Sequence, residues 1–303
     1  MPQLSEDVWR ALACPQCLAG LTATPQGAHC PQCATDYANT PAGVLDLKLQ
    51  HSKKHTLELE LCTPFPVPPP EVIASLQPHP QPALDFTLPH APRRLSAAIR
   101  SYYPKAHSSA SLALDVGCGT KADQGICEFA GFQYIGMDYY NDQAMLQGDA
   151  HALPFQDNSV ELVVAMAVLE HIQHPVVMLR EVYRVLQPGG RFIGAVSFLE
   201  PFHDKSFYHH THLGAYNSLQ VAGFDILRVA PTPRWHALKA LSHMILFPHL
   251  PRRWAGWLIS PMYLLHRIFW RIGTSSNPLA DNEGRRQRAT SASFVLIADK
   301  PKA

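Results

Sequence analysis

The chain is short of charge. Asp, Glu, Lys and Arg make up 16% of its 303 residues and leave a net charge of +1. No overall field therefore favours nucleic acid, and only a local patch could do so. No basic start followed by an apolar stretch and small residues opens the chain, so a secretory signal is not expected. The glycine loop at Gly117 and Gly119 lacks the sixth-position glycine of a G-x-G-x-x-G dinucleotide loop. No Gly-Lys-Ser/Thr follows it, which excludes a nucleoside-triphosphate loop of the common kind. One long segment lacks acid altogether: Ile226 to Ala280 contains no Asp and no Glu.

Cysteine, proline and apolar residues are plentiful. Hydrophobic residues form 47% of the chain, enough for a proper core, and the length allows one large domain or two. The seven cysteines include two CxxC pairs near the start, Cys14-Pro-Gln-Cys17 and Cys30-Pro-Gln-Cys33, with twelve residues between them. Each CxxC turn aims two thiolates at one point, and two such turns complete a tetrahedral four-sulfur site for Zn2+. Without a secretory signal this favours metal over disulfides. A closed four-thiolate site has no open position, so its expected role is structural. The segment after it, from Tyr37 to Leu47, reads as the end of a small ribbon closing with a strand. Ten of the 27 prolines fall in residues 64–92. Such a run forms neither helix nor central strand and reads as an extended, partly stiff linker. A helix is expected over Arg93–Tyr103, stopping at Pro104.

From Ser111 onward strands and helices alternate, the pattern of a mostly parallel sheet covered by helices. Strands are expected at Leu112–Val116, Gln133–Met137, Val160–Met166, Arg191–Val196, Phe224–Val229 and Ser293–Ala298, with a short edge element before Gly148. Helices are expected at Pro175–Leu186, ending at Pro188-Gly189-Gly190, and at Leu213–Ala222. Asp115 closes the first of these strands, Asp138 follows the second, 23 residues later, and Asp149 ends the next unit. An acid about 20 residues beyond the first strand end is placed to bond ribose hydroxyls. Three acids at successive strand ends suit a ligand with a ribose, an amino group and a cationic tail. They suit a pyrophosphate poorly.

Four stretches then occur in order: LDVGCGT, GMD, GDAHALPFQDNSVELVVAMAVLEHI and EVYRVLQPGGRFIGAV. Together they resemble the class I S-adenosylmethionine-dependent methyltransferases, close to the type 11 group, over Leu112–Phe224, with Phe294-Val-Leu resembling the last strand. Glu161 stands where that family usually has Asp. The N-terminal segment resembles the small zinc ribbon that activates methyltransferases. The resemblance implies a Rossmann-like α/β fold, a seven-stranded mostly parallel sheet with helices on both faces plus the ribbon. It implies that Asp115, Gly117, Cys118 and Gly119 line the methionine moiety of S-adenosylmethionine and that Asp138 holds the ribose. Asp149 and Ala150 would meet the adenine edge, and Ala165 would stand at the end of the fourth strand.

Methyl transfer needs a general base only for a poorly acidic acceptor. Candidate bases follow strands four and five: His171, His203, Asp204, His209, His210 and His212, with His171 read first as structural. His210 and His212 are the favoured pair among them. Substrate positioning, structural support and metal ligation all remain open for this cluster.

In this family the last two strands are joined by a short turn. Here residues 230–290 intervene, and they should overhang the active site as a lid. The acid-free stretch Ile226–Ala280 carries Arg228, Arg234, Lys239, Arg252, Arg253, Arg267 and Arg271 around the apolar runs Ala240–Leu250 and Trp254–Leu265. Each run falls short of the ~20 residues needed to span a bilayer, and Pro248, Pro251 and Pro261 interrupt them. Short apolar runs flanked by arginine and tryptophan fit the membrane interface. A lid packed on its own domain or on a partner subunit is the competing reading, and nucleic acid fits less well. The expected organisation is a zinc ribbon at 1–50, a proline-rich linker at 51–92 and a methyltransferase domain at 93–303. The expected function is methyl transfer from S-adenosylmethionine to a small-molecule, lipid-linked or glycan acceptor held at a membrane. The expected place is the cytoplasm or the inner face of the membrane. RNA or a ribosomal protein as acceptor, and a non-catalytic cofactor-binding role, are the alternatives.

Overall fold

In the computed structural model, residues 4–58, 67–202, 205–272 and 283–302 are described. The chain opens with α1 (Glu6–Ala11), capped by the Ser5 hydroxyl, which accepts from the Val8 N–H. Three short strands follow: β1 (Thr22–Thr24), β2 (Gly27–Cys30) and β3 (Thr35–Ala38), paired antiparallel in that order. Then comes β4 (Leu45–Asp46), which does not close this small sheet. It pairs parallel with β7 (Leu146–Gln147) at the edge of the main sheet.

The main sheet is built from β5 (Leu112–Val116), β6 (Gln133–Asp138), β7, β8 (Val160–Met166), β9 (Leu186–Ser197), β10 (Asp225–Pro231) and β11 (Ser293–Asp299). With β4 it has eight strands in the order β10-β11-β9-β8-β5-β6-β7-β4. The expected count of seven is therefore one short. A sheet edge presents unpaired N–H and C=O groups, and the chain leaving the ribbon covers them. Every pair is parallel except those of β11, which lies antiparallel between β9 and β10. The sequence order reverses between β5 and β8, which makes their carboxyl ends the crevice of the fold.

Strands β5 and β8 are almost wholly buried, as strands covered on both faces must be. One face packs Leu112, Leu114, Val116, Ile135 and Met137 with Leu12, Cys14, Cys30, Tyr37 and Leu47, so the ribbon shares the core of the main sheet. The other face packs Ala113, Tyr134, Leu162 and Val164 against Tyr102, Tyr103 and Leu76. The covering helices are α2 (Ala97–Arg100), α3 (Gln124–Phe129), α4 (Pro175–Val185) and α5 (His212–Ala222). Thr211 caps α5 at its start, and Gly223, at φ +100, ends it. The helix expected over residues 93–103 shrinks to α2, with Ser96 as its cap. The Pro-Gly-Gly after α4 lies inside β9, because the backbone is already extended at Leu186.

The proline-rich stretch is not a free tether over residues 67–92. It forms no helix or strand there, but Val72, Leu76 and Ala91 are buried. The Val229 N–H donates to the Val72 carbonyl at 2.8 Å, fixing the stretch to β10. Residues 64–66 lie outside the described residues.

The insertion between β10 and β11 holds α6 (Ala237–Leu241), a π-helical turn (Ser242–Leu246), α7 (Arg252–Ile272) and α8 (Glu283–Thr290). Pro261 does not break α7. Among the described residues no helix is long and apolar enough to cross a membrane.

Candidate active site

Parallel register sets the geometry. Asp115 is level with Gly136, so Asp115 and Asp138, two residues further along β6, project from the same face at adjacent strand tips. The turn after β5 is tied to β6: Gly117 and Cys118 both donate their N–H groups to the Met137 carbonyl, at 2.8 and 3.1 Å. Gly117 has φ +68, and a Cβ there would lie 2.7 Å from the Val168 side chain. Glycine is thus required by both conformation and space. Gly119, at φ +46, has nothing within 4 Å of where its Cβ would be, so it borders open space.

Asp115 is 3% exposed and accepts a 2.7 Å hydrogen bond from the Tyr134 hydroxyl. Burial raises its pKa to about 7; the Tyr134 bond works against this and the Asp123 charge adds to it. Asp138 accepts from three backbone donors, Gly119 N–H at 3.1 Å on one oxygen and Tyr140 and Asn141 N–H on the other. A carboxylate has about four acceptor sites, so capacity remains for a ligand hydroxyl. Burial pushes Asp149 up, but the ring and backbone N–H of His151 more than offset it and hold the carboxyl below its ordinary range. Ala150 is buried beside it, and Ala165 is buried in β8 opposite Gly194. Burial also raises the Cys118 thiol to about 12, which makes it inert.

The ribbon grips the loop that carries Asp149. Leu47 N–H donates to the Gln147 carbonyl at one end, and Ala13 N–H donates to the Pro154 carbonyl at the other. Lys48 donates to the Gln147 side chain at 2.9 Å and lies over the Tyr139 ring, next to Asp138.

The histidines divide. His210 lies against the ends of β8 and β9: its N–H donates to the Ser197 carbonyl at 2.7 Å. Burial lowers its pKa, so the ring is neutral at pH 7, and Nε2 is buried without a partner among the described residues. Glu170, fully buried beside it, takes the Ser197 hydroxyl at 2.7 Å. The His171 Nδ1–H donates to the Lys205 carbonyl, 3.0 Å away. His212 starts α5, and its ring lies 5.7 Å from that of Phe294 in β11. His203 and Asp204 lie outside the described residues. Tyr134, Val168, Glu170 and Ser197 were not singled out from sequence, where each looks like an ordinary strand or turn residue.

The four cysteine sulfurs lie within 4.8 Å of one another. Cys14 and Cys33 are 3.6 Å apart and Cys17 and Cys30 3.5 Å. Tetrahedral Zn–S bonds of ~2.3 Å place sulfurs about 3.8 Å apart, so the donor set fits Zn2+. The Tyr37 hydroxyl on Cys14 and the Thr35 hydroxyl on Cys33, both at 3.1 Å, can donate to thiolates.

The insertion reaches this edge through Trp235, whose indole N–H donates to Glu200, three residues beyond Ser197. The Ser197 hydroxyl also lies 2.7 Å from Glu200.

Residues 114–194 match the family described as a methyltransferase domain. Among curated proteins, an uncharacterized methyltransferase of Mycobacterium tuberculosis is 29% identical over 177 residues, covering 48% of this chain and 68% of its own length. A protein of transposon Tn4556 from Streptomyces fradiae is 34% identical over 100 residues, covering 27% and 28%. The sterol 24-C-methyltransferase of Schizosaccharomyces pombe is 30% identical over 125 residues, covering 35% and 33%. The alignments thus span from 28% to 68% of these relatives. Among solved structures, the complex of the Haloferax volcanii Trm112 methyltransferase activator is 17% identical with a TM-score of 0.43, covering 67% of this chain and 87% of that one. The glycine bend, the paired strand-tip acids and the match to the methyltransferase domain family all fall on one stretch, residues 114–194.

Proposed function

We propose that the protein transfers a methyl group from S-adenosylmethionine to a lipid-linked or membrane-held acceptor. In this reading Asp138 holds the ribose hydroxyls and Asp149 and Ala150 meet the adenine edge. Asp115, Gly117, Cys118 and Gly119 line the methionine end, and Ala165 backs the acceptor side. The chain's residues bind, orient and exclude water; the bound cofactor supplies the methyl group. His210 is the proposed base, since its buried, neutral ring leaves Nε2 open to take a proton from an acceptor hydroxyl or amine. His171 and His212 then serve structure rather than proton transfer. Zn2+ held by Cys14, Cys17, Cys30 and Cys33 would keep the ribbon folded and, through it, the loop carrying Asp149.

One observation carries the acceptor class. Helix α7 turns its apolar side outward: Trp254, Trp257, Leu258, Met262, Leu265 and Phe269 are all exposed, Trp257 and Phe269 each at 68%. At 100° per residue these form one continuous stripe, while Ala255, Ile259, Tyr263 and His266 face the protein. A water-facing helix shows the opposite arrangement. A stripe of this kind, flanked by Arg253 and Arg271 and free of acid, fits the boundary between lipid headgroups and acyl chains. The insertion leaves β10 at the carboxyl edge of the sheet, so seating it on a membrane brings that edge to the lipid.

The test is to incubate cell membranes and soluble extract separately with the protein and methyl-labelled cofactor. Label in a lipid-extractable membrane fraction is expected. Label confined to soluble RNA or protein would overturn the acceptor assignment.

A further inference from the structure

A cavity of about 360 Å³ opens inside the insertion, lined by Arg234, Lys239, Arg252 and Arg253 together with His236 and Tyr263. Among the described residues none of the four cations forms an ion pair. Glu200, the carboxylate bonded into this neighbourhood, accepts from the Trp235 indole and not from any of them. The cations are held by other means. Lys239 and Arg252 both lie over the Trp235 ring, 5.9 and 5.8 Å from its centre. Arg252 donates from Nε to His243 at 3.0 Å. Arg234 sits at φ +62, a conformation a long side chain adopts at a cost.

The charge is also of the wrong sign for its place. Arg252 and Arg253 form the first turn of α7, which holds no acid. A helix N-terminus carries partial positive charge and unpaired N–H groups, so two arginines there repel it and each other. An anion in the cavity removes both penalties at once, because it accepts from the guanidinium groups and faces the helix end. His236 responds to the same field: burial first, then Lys239, Arg286 and His266, depress its pKa to about 4.

We propose that this cavity binds the phosphate of an anionic phospholipid headgroup at a bilayer surface. The chemistry recognised is a phosphate ester; the position selects the lipid. Trp254 and Trp257, next along α7, begin the exposed apolar stripe. A phosphate and an acyl chain joined in one molecule present the same two surfaces in the same order, and indoles gather at that depth. The assignment of the headgroup rests on the membrane reading of the previous section. The positive cavity itself does not.

Vesicle co-sedimentation of the full chain tests it. Vesicles of phosphatidylcholine alone are compared with vesicles containing phosphatidylglycerol. The pocket variant Arg234→Gln/Lys239→Gln/Arg252→Gln and the stripe variant Trp257→Ser/Phe269→Ser are run beside the unaltered protein. Thermal melting and S-adenosylhomocysteine binding check that each variant is folded. The unaltered protein should prefer the anionic vesicles, and the pocket variant should lose that preference by on the order of a hundredfold for three cations. The stripe variant should lose binding to both vesicle types. Undiminished preference in the pocket variant overturns the headgroup site while leaving the membrane reading intact. No binding of the unaltered protein to any vesicle overturns both. Stabilisation by inorganic phosphate without vesicle binding assigns the cavity to a soluble phosphate, and salt-dependent capture of a short RNA instead of vesicles assigns it to a nucleic acid backbone. Either result overturns the lipid assignment.

Discussion

Replacing Asp115 by Asn should make the cofactor-free protein more stable while removing its ability to hold the cofactor. The carboxyl is 3% exposed, and burial raises its pKa to about 7 from an ordinary value near 3.8. A group whose pKa is raised by folding stabilises the native state fully below its unfolded pKa. That contribution is lost as pH rises through the folded value. The difference is about three pH units, and at ~1.4 kcal/mol each it corresponds to ~4 kcal/mol. Asn keeps an oxygen for the Tyr134 hydroxyl and carries no charge to bury. Urea unfolding without cofactor, at pH 5 and pH 8, checks this. The gap between Asp115→Asn and the unaltered protein should widen in favour of the variant between these pH values, by up to ~2–3 kcal/mol. Saturating S-adenosylhomocysteine should stabilise only the unaltered protein. A gap that does not change with pH would refute the argument that Asp115 is held against its charge.

Gly117→Ala should destabilise the fold by roughly 2–3 kcal/mol, from the left-handed backbone and from pressing a methyl group against Val168; urea unfolding measures it. His210→Ala should lower kcat by about 100-fold or more with unchanged S-adenosylhomocysteine affinity. Because burial lowers the pKa of His210, activity should hold as pH falls through 6.5 and drop only below it. Stripping Zn2+ with a chelator should lower the melting temperature of the whole protein in one transition, since Cys14, Cys30 and Tyr37 share a core with Leu114 and Met137. Two separated transitions would contradict that coupling.

The parts of the fold fixed by local pattern were legible in the sequence. Alternating strands and helices, glycine bends and acids at strand tips depend on neighbours along the chain, and β5, β6, β8 and α5 fall within a residue or two of expectation. What depended on distant partners was not legible. Two residues of β4 join a sheet edge about one hundred residues away; nothing in Leu45-Asp46 announces it. The prolines of residues 67–92 forbid regular structure as expected, yet Val72 and Leu76 still find a core. In the sequence Pro261 marks an interruption, but α7 runs through it. Its place on the exposed stripe lets water meet the carbonyl that loses a partner. Tyr134 gains its meaning only from the register that sets it beside Asp115.

The proposed function stands or falls with Asp138, which in that reading holds the sugar of S-adenosylmethionine beside the glycine bend. Calorimetric titration of the protein and of Asp138→Ala with S-adenosylhomocysteine tests it most directly, with melting curves to confirm that both are folded. Binding of one ligand per chain, weakened at least tenfold in the variant, is the predicted result, since a charge-assisted hydrogen bond contributes roughly 1.5–3 kcal/mol. Equal affinity in a folded variant, or no binding by the unaltered protein, would contradict the account.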